Sequence, residues 1–104
     1  MLSIEINTEN KIQGILLSGR LVGIAALEFR QKIGSVLEEQ PKRIVLDLRN
    51  IKELDLTGFN AVFMLKSITE KRKKSFSMLI SADSPIVEYL HLSKLNLNQS
   101  IASS

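Results

Sequence analysis

Cysteine and tryptophan are missing from this 104-residue chain, and histidine and tyrosine occur once each. Without cysteine there can be no disulfide, thiol nucleophile or zinc–thiolate site. With no tryptophan and aromatic residues at only 5%, there is little from which to build a base-stacking platform. A single histidine leaves carboxylates as the main metal ligands, and these are scattered along the chain. No apolar run approaches the roughly 18 residues that cross a bilayer. The start, Met1-Leu2-Ser3-Ile4-Glu5, lacks the basic and apolar regions of a signal peptide. The expectation is a cytoplasmic protein without direct membrane insertion.

What remains is the composition of an ordinary globular protein, 44% hydrophobic and 24% charged, at a length that fits one domain spanning 1–104. The net charge of +3 is concentrated in Lys71-Arg72-Lys73-Lys74, directly after a helix-like segment. Cations there are favoured by the helix dipole, by roughly 0.3–1 kcal/mol each. No aromatic residue interleaves with them, so they read as a solvated helix end, and no nucleic-acid partner is expected.

Along the chain the hydrophobic period alternates. Strands are expected at about Leu2–Asn7 and at Lys11–Ser18, joined through Glu9-Asn10, with Gly19 marking the exit. Ala26, Phe29, Ile33, Val36 and Leu37 then recur at helical spacing, in a helix that ends before Pro41. Arg43–Leu48, "RIVLDL", reads as a parallel strand buried on both faces, with Asp47 near its end beside backbone or water partners. A second helix is expected from about Gly58 to Lys71, and a strand over Ser75–Ser81. Asp83-Ser84-Pro85 opens a third helix to about Leu92, and the tail from Leu95 suits a last edge strand. The order implies an α/β fold, a mixed four- to five-stranded sheet packed with α-helices and joined by right-handed crossovers.

One corner carries more than fold. Asp55-Leu56-Thr57-Gly58 sits between a strand-and-loop region and the second helix. Thr57 is positioned to cap that helix, a role worth about 1 kcal/mol that needs no function. Ala61, Val62, Leu65 and Ile68 form the helix's core stripe. Phe59 and Phe63 lie round from it. They either pack against a neighbouring helix or form an exposed docking patch beside Thr57, and such a patch would serve equally as a self-contact in a homo-oligomer.

The string "IVLDLRNIKELDLTGFNAVFML" resembles the signature of the STAS domain, named for sulfate transporters and anti-sigma factor antagonists. In that family an apolar strand ending in Asp-Leu is followed by a short loop, then Asp-Ser-Ser-Gly or a variant, then an apolar helix. "ILLSGRL", the first helix, "SFSMLIS" and the helix before "HLSKLNL" also fall in family order, so the resemblance covers the chain. It implies a bacterial anti-sigma factor antagonist whose partner is an anti-sigma factor that is also a serine/threonine kinase, with room for a serine phosphatase. By position the phosphorylation site is Thr57. Asp55, Leu56, Gly58, Phe59, Phe63 and Arg20 are the other expected partner-binding residues. No cofactor or metal is implied.

Two departures bear on kinase recognition. Leu56 stands where serine is common, and Gly19-Arg20-Leu21-Val22 replaces a Gly-Glu-Leu-Asp turn, reversing the charge at Arg20. Enzymatic sites are poorly supported. His91 and Ser93 lack an orienting acid and an oxyanion site. Asp47 and Asp55 have simpler explanations, and the five dispersed glycines match neither nucleotide-binding signature. The expectation is therefore not an enzyme. The rival use of the same domain is an unswitched adaptor or scaffold, beside a transporter ATPase or in a stress-signalling assembly.

Overall fold

A computed structural model describes residues 1–93 and 99–102. Its elements run β1 (Leu2–Glu9), β2 (Ile12–Leu21), α1 (Gly23–Val36), β3 (Arg43–Leu54), α2 (Leu56–Lys71), β4 (Ser75–Ser81), α3 (Ile86–Ser93) and β5 (Gln99–Ala102). They form one five-stranded mixed sheet in the order β1-β2-β3-β4-β5. β1 pairs antiparallel with β2, and every later pairing is parallel. The edge strand expected in the tail is β5, while Leu95 itself lies outside the described residues. The β1–β2 hairpin turns on Asn10 and Lys11, both with positive φ, the geometry of a two-residue type I′ turn. The turn therefore lies one residue beyond the expected Glu9-Asn10.

Each parallel crossover steps the same way along the sheet. Right-handed connections then place every helix on one face, leaving the other without a helical layer. Burial along the strands records this. Ile15 and Leu17 on β2, Ile44, Leu46 and Leu48 on β3, and Phe76, Met78 and Ile80 on β4 are buried towards the helices. Leu16, Val45, Asp47 and Leu79 alternate with them and are only half-buried on the other face. The expectation that "RIVLDL" is buried on both faces is thus corrected, because the sequential strand order puts all crossovers on one side. Asp47 is also not at a strand end. It lies mid-strand, where its Oδ1 accepts from the Arg49 backbone N–H at 3.0 Å, the expected kind of backbone partner. Both carboxylate oxygens also accept from the Arg49 side chain, at 2.8 and 3.0 Å.

β3 continues well past the expected end at Leu48, as far as Leu54. Two register shifts against β2, between Leu16 and Ser18 and between Gly19 and Arg20, insert extra residues in β3. Each bulge puts two exposed residues in succession, Arg49-Asn50 and Lys52-Glu53, and so hides the strand's alternation. From α1, Ala26, Phe29, Ile33 and Leu37 enter the core. From α2 come Ala61, Val62 and Leu65. α3 adds Ile86 and Leu90, and its first turn begins just after the buried Ser84.

Candidate functional site

The Asp-x-Thr-Gly corner lies where β2 and β3 end and α1 and α2 begin. Asp55, in extended geometry, is the N-cap of α2. Its Oδ1 accepts from the Gly58 N–H at 2.8 Å, and its Oδ2 accepts from the Gly23 N–H at 2.9 Å. One carboxylate therefore holds the first turns of two helices. Gly23 opens α1 with φ +53°, a conformation glycine adopts without the steric cost a side chain would bring. Burial pushes the Asp55 carboxyl up, but bonds from the backbone N–H groups of Gly23, Gly58, Asp55 itself and Thr57 outweigh it and hold it below the usual carboxylate range.

This corrects the expected cap. Asp55 does the capping, and Thr57 lies in the second position of the helix. Aspartate and threonine are both good caps, so composition alone did not distinguish them. The Thr57 side chain is half-exposed, and among the described residues its hydroxyl makes no hydrogen bond. Gly58 is required for close approach. A Cβ there would fall 2.1 Å from the Leu21 carbonyl oxygen, a backbone atom at the end of β2. The glycine is what lets α2 start directly against that strand.

The other expected partner-binding residues divide. Leu56 is 61% exposed beside Thr57. Phe63, two turns on along the same helix face, is 40% exposed. Phe59 is 6% exposed, with its ring stacked on Tyr89 of α3 at a centroid distance of 5.4 Å. It belongs to the packing of α2 on α3 and is not part of an exposed patch. Arg20 on β2 sits in register with Glu53 on β3 and pairs with it at 3.0 Å, in the open at the strand ends that lead into the corner. The charge reversal at this turn is thus answered locally by a carboxylate.

Sequence reasoning missed the part α1 plays. Ile24, 74% exposed, and Leu27 lie on its outward side, one turn apart, just after the Gly23 that Asp55 holds. Their spacing was visible, but only the tie from Asp55 to Gly23 brings them to the corner. Ile24, Leu27, Leu56 and Phe63 are exposed apolar side chains on the two helices that begin at this corner. Among the described residues no group of three His, Cys, Asp or Glu side chains is arranged to hold a metal, and no helix is long and apolar enough to cross a membrane.

The family model for the STAS domain matches residues 3–103. A crystal structure of an anti-sigma factor antagonist from Mycobacterium paratuberculosis superposes with a TM-score of 0.75 at 19% identity, covering 90% of this chain and 79% of that one. The anti-sigma factor antagonist SpoIIAA in its unphosphorylated form superposes with a TM-score of 0.76 at 17% identity, covering 96% and 88%. No curated protein sequence matches the chain.

Proposed function

The chain belongs to the STAS domain family, and from that premise we propose that it is an anti-sigma factor antagonist switched by phosphorylation of Thr57. The partner in this reading is an anti-sigma factor with serine/threonine kinase activity. Unmodified chain binds it and frees the sigma factor, the modified chain releases it, and a serine phosphatase resets the cycle. One observation carries the reading: Asp55 caps α2, so among the described residues the Thr57 hydroxyl has no hydrogen-bond partner at an accessible helix start. A hydroxyl that stabilises nothing can be modified without unfolding its surroundings.

The electrostatics support a change in surface chemistry. A phosphate adds roughly −1.5 to −2 charges at neutral pH. At the amino end of α2 the helix dipole and free N–H groups tolerate that anion. A partner seated on Leu56, Phe63, Ile24 and Leu27 would have to desolvate the anion next to the Asp55 carboxylate, and this releases it without any rearrangement of the domain. Thr57→Asp is expected to weaken binding of the partner kinase by about tenfold or more while leaving the melting temperature nearly unchanged. Calorimetric titration beside a thermal melt checks both. A large fall in melting temperature with undiminished affinity would instead identify Thr57 as structural and favour the unswitched adaptor.

A further inference from the structure

The opposite end of the sheet gathers charge that the sequence keeps apart. The Lys42 and Arg43 N–H groups both donate to the Lys11 carbonyl, and the Ser75 N–H donates to the Lys42 carbonyl. These bonds draw the β1–β2 turn, the start of β3 and the start of β4 into one rim. The carboxyl end of α2, with Lys71 and Lys73, descends onto the same rim just before Ser75. Arg72 and Lys74 reach back from it to backbone carbonyls that end α1: Arg72 to Gly34 and Leu37, Lys74 to Glu38 and Glu39. Seven of the chain's 14 Lys and Arg residues thus share one end with only Glu9, Glu38 and Glu39, a local excess of four, since the nearby Glu70 is already paired with Lys66.

Two of the seven serve as helix caps. The other five, Lys11, Lys42, Arg43, Lys71 and Lys73, are exposed, and among the described residues none has a side-chain hydrogen bond or an ion pair. Holding five like charges together without counterions costs free energy, and an external anionic surface relieves it. The corner end carries no comparable excess, with Glu53, Asp55 and Asp83 set beside Arg20 and Lys52.

We propose that this basic pole adsorbs onto anionic lipid surfaces, with the Thr57 corner facing away from the bilayer and accessible to a partner. The chemistry on the rim favours lipid over nucleic acid. Its cations lie on a turn, two strand starts and a helix end, with none along a helix face or ribbon that would enter a groove. No aromatic residue stands among them to stack on bases. The large apolar side chain that is exposed there is aliphatic: Ile12, in register with Arg43. Such a residue suits the boundary between headgroups and acyl chains. Adsorption is electrostatic and shallow, needs no spanning helix, and does not depend on whether Thr57 is modified.

Sedimentation of the full chain with phosphatidylcholine vesicles, with and without phosphatidylglycerol, tests this. Binding is expected only with phosphatidylglycerol and should weaken as salt is raised. The double substitution Lys42→Glu with Lys71→Glu should reduce it about tenfold or more. Lys32→Glu with Lys52→Glu, which changes net charge equally but away from the rim, should retain most of it. The milder Lys42→Gln with Lys71→Gln should fall between, and all three should melt with the parent chain. Absence of binding to phosphatidylglycerol vesicles, or an equal loss in both glutamate pairs, would overturn the proposal. So would tighter binding to a DNA duplex than to these vesicles at the same salt, which would make the pole a nucleic-acid surface.

Discussion

At Asp55 the two oxygens of one carboxylate hold two different helices, Oδ1 the first turn of α2 and Oδ2 the first residue of α1. Its folded-state pKa lies below the ordinary value, so its contribution is present above the usual carboxylate range and is lost as pH falls through the folded value. Asp55→Asn keeps a capping oxygen but loses the charge. It should be less stable than the parent by about 0.3–1 kcal/mol at neutral pH, the worth of a negative charge at a helix amino end, with the gap closing as pH drops below about 4. Urea melts across that range check the sign; a gap independent of pH would show that charge is irrelevant to the cap. Gly58 makes the complementary demand, for space. Gly58→Ala should cost about 1–3 kcal/mol by forcing α2 off the end of β2, and denaturant unfolding gives that number directly.

Helix α2 shows at the element scale how two similar residues take different work. Phe59 and Phe63 are four apart, yet the first is stacked on Tyr89 and buried while the second is 40% exposed. Phe59→Ala should destabilise by about 3 kcal/mol or more. Phe63→Ala should change stability little and weaken partner binding. Parallel melts and titrations of the two variants separate the roles, and equal loss of stability in both would contradict the division. The core stripe of α2 and both phenylalanines beside it were legible in the sequence, because helical period is local. Which phenylalanine another helix would cover was not, because α3 arrives from about 30 residues away in the chain. β3 gives the same lesson in strand form. Its first half alternates cleanly and was legible, and its second half was not, since two bulges set by pairing with β2 break the period. At the site, the motif and Gly58 could be read from the sequence. The bond from Asp55 to Gly23 could not, being a contact between residues 32 apart.

For the whole molecule, the sequential strand order governs both the layering and the placement of the corner relative to the basic rim. It puts the helices on one face and leaves Leu16, Val45 and Leu79 half-buried on the other. It also places the Asp55–Gly58 corner and the basic rim at opposite ends of the parallel strands, so that a partner at one end would not obstruct the other. The central proposal concerns the first of these ends: that Thr57 is the residue whose modification controls partner binding. Incubation with ATP and a candidate serine/threonine kinase, followed by intact-mass and phosphopeptide analysis, tests it most directly. The expected result is a single added phosphate on Thr57, absent from Thr57→Ala, with the modified chain released from the kinase. Stable binding of the chain to a kinase that never phosphorylates Thr57 would contradict the account and leave the domain an adaptor.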